Sequence, residues 1–387
     1  MSTPLKLEYV QLDKIDERIL LLGAGFSKNF GAPLANEMWY LIFNHKEIQS
    51  KPRIREFMLN NFDYEDVYNS VLEGFEDKTG LFGEKYSFIE FKDDEKDAIR
   101  EATNFAYGYI DHVFSQFMEY TENSKKDETR QKEILTGVSQ FISLFQQVYD
   151  YLTADGNAYC FANGDKLKVS SGKSSFIFTL NQDLFFEKCY PKICTEMDYQ
   201  KICIPGIKEE NGSDLVKLPS EDKLYSNNIL SNENFFLIKL HGSYNWQGID
   251  GNKAMVIGKN KINQINKEPL LSLYFEIFKK VLSQDQHRLL IIGYGFGDDH
   301  INHVISDSIT NHGLKIYILS PGSIEKLKDK ITKDSENSIT LEEHENLVTI
   351  YKGISGYFPY TEIFTGNDIL DKPIKEYFKS VFLDDDK

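Results

Sequence analysis

Residues 17–39 read ERILLLGAGFSKNFGAPLANEMW, and this stretch decides the fold. The apolar run Ile19–Leu22 ends in Gly23-Ala24-Gly25-Phe26-Ser27. A short run of branched and leucine side chains followed by glycines predicts a buried strand, a tight turn and a helix start. Glycine suits such a turn because a β-carbon would block either the chain reversal or a ligand lying against it. Main-chain N–H groups exposed there can receive a phosphate. The stretch departs from the GxGxxG fingerprint, because Lys28 stands in the third glycine's place. A purely structural turn is the alternative reading.

Working outward, strand-like runs recur only after residue 170. They are Ser175–Leu180 (SFIFTL), Asn234–Leu240 (NFFLIKL), Arg288–Ile292 (RLLII), Leu314–Leu319 (LKIYIL) and Leu347–Tyr351 (LVTIY). The helical pattern Leu270–Leu282 lies between two of them. Strands alternating with helices predict a doubly wound parallel sheet, whose ligands sit beyond the carboxyl ends of the strands. Residues 51–155 differ, with little strand signal. Ile134, Val138, Phe141, Ile142, Phe145 and Val148 form a helical stripe there. The expected organisation is a discontinuous α/β domain, 1–50 and 156–387, interrupted by an α-helical module at 51–155. Residues 203–234 read as an irregular excursion, and Asp371–Phe382 as a final helix.

Composition excludes several classes. The 387 residues are 41% hydrophobic and 13% aromatic, which fits a folded core. A net charge of −16 argues against a broad nucleic-acid-binding face. No run approaches the roughly 20 apolar residues of a membrane span. Met1–Glu17 is mostly polar, unlike a secretory leader. The four cysteines, Cys160, Cys189, Cys194 and Cys203, form no CxxC pair. A soluble, cytoplasmic protein with reduced thiols is the expectation.

Four strand ends carry candidate chemistry: Gly23–Ser27; Thr179-Leu180-Asn181-Gln182-Asp183 with Glu187; Lys239-Leu240-His241-Gly242-Ser243; and Gly293-Tyr294-Gly295-Phe296-Gly297-Asp298. In this order they resemble the sirtuin fold, and more closely the sirtuin-like NAD-hydrolase domains of bacterial antiphage defence proteins. The resemblance covers roughly residues 12–45 and 171–356. It implies a Rossmann-type parallel sheet with a large helical insertion. It also implies that NAD is a consumed substrate, cut to ADP-ribose and nicotinamide, rather than a cofactor. His241 matches the family's catalytic histidine, a general base for a ribose hydroxyl or a water. Asn181 matches the asparagine that contacts the ribose or places a water.

Gly23, Ala24, Gly25, Phe26 and Ser27 would hold the diphosphate, with Gly293, Tyr294 and Gly295 approaching the nucleotide and Ser320 its adenosine ribose. Asn181 and Asp183 each also fit a helix N-cap, and Asp183 is a candidate for either role. The cluster Asp298, Asp299, His300 and His303 fits either a metal site or a capped helix on a solvated face, and the second reading is preferred, with no metal expected.

Deacylating sirtuins carry a zinc ribbon of two CxxC pairs after the histidine–glycine motif. Here no cysteine follows Cys203, so no structural zinc is expected. The resemblance further implies abortive-infection defence by NAD depletion, a homo-oligomer, and a separate HerA-type ATPase as partner. The alternatives are an ADP-ribosyltransferase or atypical deacylase, and a nucleotide-binding sensor without turnover.

Overall fold

Six strands build one parallel sheet: β1 (Arg18–Leu22), β2 (Ser175–Thr179), β3 (Phe235–Lys239), β4 (Arg288–Ile292), β5 (Lys315–Ser320) and β6 (Ile354–Pro359). Their spatial order is β3-β2-β1-β4-β5-β6. This is the doubly wound order in which the chain reverses its direction of winding between β1 and β4. The structure, a computed structural model, describes residues 15, 18–83, 86–123, 157–162, 165–170, 174–190, 202–207, 215–226, 229–230, 235–334 and 340–359. The expected stripe Ile134–Val148 and the expected helix Asp371–Phe382 lie outside the described residues.

The strand runs are near-continuously apolar because both sheet faces are covered. Ile19 and Leu21 of β1 point to one face, with Phe176, Phe178, Ile238, Ile291 and Ile318. That face is covered by α6 (Pro269–Leu282), α7 (Asp299–His312) and α8 (Leu341–Lys352), through Tyr274, Phe278, Ile305 and Leu347. Leu20 and Leu22 point the other way, with Ile177, Leu237, Leu290 and Leu319. There they meet α2 (Ala35–Phe43), α3 (Tyr64–Glu73) and α4 (Asp93–Asn123), through Trp39, Val67, Ile99 and Phe114. Helices from 51–155 therefore share one hydrophobic core with the sheet. The remaining labelled helices are α1 (Ala24–Lys28), directly after β1, and α5 (Lys261–Lys267), directly before α6.

The first four strand expectations hold to within a residue or two. The fifth does not. Leu347–Tyr351 is the end of helix α8, and the last strand follows it at Ile354–Pro359. Thr340 caps the helix, accepting from the Glu343 N–H, while Glu343 reaches back to the Thr340 N–H. That capping box, with Leu347 and Ile350 buried on one face, overrides the local β-propensity of LVTIY.

Two antiparallel hairpins also escaped the sequence reading, Phe75–Asp77 with Ser87–Ile89 and Asn157–Ala162 with Asp165–Ser170. The segment read as irregular contributes Val216–Lys217 to a small sheet with Gly242–Gln247 and Lys253–Met255, and a one-turn helix, Glu221–Ser226. Among the described residues no helix is long and apolar enough to cross a membrane.

Candidate active site

A cleft of about 630 Å³ opens at the carboxyl ends of β1, β2, β3 and β4. These strands are neighbours, so four loops far apart in sequence converge on one volume. Gly23, Ala24, Gly25, Ser27, Asn181, Asp183, His241, Gly293, Tyr294, Gly295 and Ser320 all line it. Phe26 does not. Its side chain is buried behind the turn against Phe30, Phe185 and Phe186.

The two glycine loops are built against each other. A β-carbon on Gly23 would lie 2.6 Å from Tyr294 Cα, and one on Gly25 would lie 2.8 Å from Gly293 Cα. Gly293 itself has φ +66°, and its β-carbon would meet the Phe26 nitrogen at 2.3 Å. The Gly23 N–H donates to Ile292 O, the Gly25 N–H to Gly293 O, and the Phe26 N–H to Gly23 O. The expected row of free N–H groups is thus largely spent inside the protein. The glycines serve first to bring two backbones into contact, which leaves a smooth main-chain floor to the cleft.

Asn181 follows β2. Its Nδ2 donates to Gly23 O at 3.0 Å and to Ser27 Oγ at 2.9 Å. With both amide hydrogens engaged, Asn181 meets a ligand through its oxygen, as an acceptor. Ser27 in turn donates to Asp183 Oδ2 at 2.6 Å, and Asp183 Oδ1 accepts from the Phe185 N–H at 3.0 Å. Asp183 therefore braces the turn that leads into the short helix Phe185–Lys188, whose N-cap is Leu184, and anchors the Ser27–Asn181 pair. Burial pushes its carboxyl up, and the Lys239 ammonium opposes that shift.

Lys239 is the buried foundation beneath these loops. Only 1% of it is exposed, and its Nζ donates to Asp183 O (2.5 Å), Glu187 Oε1 (2.7 Å) and Ser243 Oγ (2.9 Å). Gln182 ties the same loops together. Its Nε2 donates to Val256 O, its side-chain oxygen accepts from Tyr107 of α4, and its carbonyl accepts from the Tyr244 N–H.

His241 follows β3 and is 4% exposed. Its Nε2 lies 3.0 Å from Nε2 of His300, at the start of α7. Asp298 completes the group, with one ligand-type atom from each residue lying within 4.8 Å of the others. Burial lowers the His241 imidazole to about 3, with Asp298 pulling the other way. Burial likewise lowers His300 to about 4, so both rings are neutral near pH 7. Burial works against the charge of Asp298, but the imidazoles and the Lys261 ammonium hold its carboxyl at about 2. Lys261 of α5 donates to Asp298 Oδ1 at 2.7 Å and pairs with Glu65 of α3 at 2.6 Å. Burial opposes the Lys261 charge, and the two carboxylates outweigh it and raise the group above its ordinary range.

The other members of the expected acidic–imidazole cluster lie apart. His303 is exposed and faces Glu342 at 3.5 Å. Asp299 is pushed up to about 6 by burial and by hydrogen bonding with Glu343. Tyr294 holds the β4 loop closed, its hydroxyl accepting from the Asp298 N–H and donating to Asn302 Oδ1. Ser320 Oγ accepts from the Gly322 N–H at 3.2 Å.

Sequence reasoning passed over Glu65, Tyr107 and Lys261, and quoted Gln182 and Lys239 in the strand-end motifs without giving them a role. A lone lysine inside the apolar run NFFLIKL was the one available signal, since a buried ammonium requires a carboxylate partner.

A doubly wound sheet with a cleft at its switch point is the architecture in which open α/β proteins place their ligands. Within it, a family model described as a SIR2-like domain matches residues 175–350. Over that span the chain is similar to SIR2-like domains, its six-strand parallel sheet is consistent with a sirtuin-like Rossmann-type fold, and the likeness suggests NAD-related activity in general. The matched span holds Asn181, His241 and Gly293, while β1 and its glycine turn precede it and enter the site through sheet pairing. No curated protein matches the chain.

Proposed function

We propose that the protein is an NAD glycohydrolase. The observation that carries the reading is the meeting of Asn181 and His241 in the cleft that Gly23–Ser27 and Gly293–Gly295 floor. The dinucleotide lies across the paired glycine loops, and the nicotinamide ribose reaches toward Asn181 and His241. The C1′–N bond breaks and its electron pair leaves with nicotinamide, neutralising the pyridinium. Positive charge grows on the sugar carbon as in other glycosidic cleavages. The ionised Asp298 faces that charge electrostatically. Water oxygen bonds to C1′, oriented by the Asn181 side-chain oxygen, and its proton passes to neutral His241. Asp298 then stabilises the imidazolium. The products are ADP-ribose, nicotinamide and one proton.

Hydrolysis is favoured over deacylation because no cysteine follows His241-Gly242 to build a zinc ribbon. The chain instead turns directly into the strand Gly242–Gln247. The resemblance to defence proteins supports a cytoplasmic antiphage effector that depletes NAD, acts as a homo-oligomer and is paired with a HerA-type ATPase.

The test is NAD consumption by the purified chain, alone and with a HerA-type ATPase, beside Asn181→Ala and His241→Ala. Free ADP-ribose is expected from the wild type and at least a ~100-fold loss in each variant. Full survival of NAD in every condition refutes hydrolysis. Label from NAD retained on a macromolecule identifies a transferase instead.

A further inference from the structure

We propose that His241, His300 and Asp298 form a binding site for a zinc-type dication, and that the bound ion holds the enzyme silent. The binding half stands on geometry alone. The silencing half rests on His241 being the base of the reaction above.

Two imidazole nitrogens bound to a tetrahedral zinc, each at about 2.0–2.1 Å, stand about 3.4 Å apart. His241 Nε2 and His300 Nε2 are separated by 3.0 Å, so they must open by only a few tenths of an ångström. The two rings, tilted by 32° with centroids 5.2 Å apart, come from different elements, one after β3 and one at the start of α7. Phe275 packs against His300 at 5.7 Å between ring centroids and fixes its orientation. Asp298 supplies a carboxylate oxygen within the same 4.8 Å group. Closing that distance to a ligand spacing takes about 1.5 Å at most, within reach of a carboxylate rotation. Three protein ligands and a fourth position toward the cleft make an open site.

Lys261 is the opposing charge and must be counted. Its ammonium sits on Asp298 Oδ1 and on Glu65, so two carboxylates share one cation and one negative charge is left over. The second oxygen of Asp298 remains for the ion. Two nitrogen donors and one oxygen select zinc-type cations over magnesium or calcium, which take oxygen ligands. An ion on His241 Nε2 occupies the lone pair that would take the proton from water. Asp299 and His303, the other members of the acidic–imidazole cluster in the sequence, play no part.

The experiment uses the full-length chain after chelator treatment, titrated with Zn²⁺, with Co²⁺ and with Mg²⁺ by calorimetry and dialysis. One Zn²⁺ per chain is expected, with no Mg²⁺ uptake. His241→Ala, His300→Ala and Asp298→Asn should each weaken binding at least about tenfold, and His303→Ala should leave it unchanged. A zinc-induced rise in the unfolding midpoint, present in the wild type and lost in His300→Ala, guards against variants that merely misfold. Absence of stoichiometric Zn²⁺ binding overturns the proposal, as does wild-type binding in His241→Ala and His300→Ala. Zn²⁺ that binds at this site while NAD turnover continues at its full rate overturns the silencing half. If the chelated chain consumes no NAD either alone or with the ATPase, the glycohydrolase reading fails, and the titration still decides the ion site.

Discussion

Replacing Lys239 by methionine tests how the site is held together. The lysine is buried under the β2 and β3 loops and donates to Asp183 O, Glu187 Oε1 and Ser243 Oγ. At 2.7 Å and an effective dielectric of about 20, its attraction to Glu187 is on the order of 6 kcal/mol before desolvation is counted. Methionine keeps the apolar stem and deletes the charge. The cost is a stranded carboxylate, about 3–5 kcal/mol.

Pairing the change with Glu187→Gln removes that stranded charge. The double variant should then lose only the bonds to Asp183 O and Ser243 Oγ, about 1–2 kcal/mol.

The pH dependence has a definite sign. Burial raises the Glu187 carboxyl above 4.5 in the folded protein, and Lys239 holds that rise in check. A raised carboxyl contributes stability that is complete below the unfolded value and is lost as pH rises through the folded one. Without Lys239 the folded value climbs further, so the deficit of Lys239→Met should be largest at neutral pH and shrink toward about pH 4.5. Urea unfolding at several pH values reads all of this. A loss below about 1 kcal/mol, a pH-independent loss, or a double variant no better than the single would refute the reasoning.

Three further outcomes are expected. Gly293→Ala places a β-carbon 2.3 Å from the Phe26 nitrogen at φ +66°, so urea unfolding should show a loss above the ~1–3 kcal/mol of backbone strain alone; a wild-type midpoint would contradict the packed-loop account. Ser27→Ala removes the link between Asn181 and Asp183, so KM for NAD should rise several-fold with a stability loss of about 1 kcal/mol, and unchanged kinetics would remove Asn181 positioning from the mechanism. Burial pushes Asp77 up, but hydrogen bonds from Phe82, Thr79 and Leu81 outweigh it and hold its carboxyl below 3.8. Its contribution is therefore present above that value and lost as pH falls through the folded one. Asp77→Ala should lower the melting temperature at pH 7, and the gap to wild type should close in acid below about pH 4.

The strand runs and their terminal glycines, asparagine and histidine were legible because they are local. A buried parallel strand must be apolar along its length, and a loop against another backbone must be glycine, whatever lies elsewhere in the chain. Local sequence therefore determined the α/β class and the strand ends that carry Asn181 and His241.

It misread Leu347–Tyr351, because a β-rich pentamer was outweighed by a capping box seven residues upstream. It placed His300 and Asp298 on a solvated helix start with Asp299 and His303, since neighbours in sequence were the only neighbours visible. Only the tertiary structure set His300 against His241, brought Glu65 to Lys261 from the far helices, and buried Lys239 under Asp183 and Glu187. Those pairings join residues 59, 196 and 52 positions apart, and no local period encodes contacts at that range. The sheet order decides them, by stacking β4, β1, β2 and β3 side by side with their carboxyl ends on one cleft.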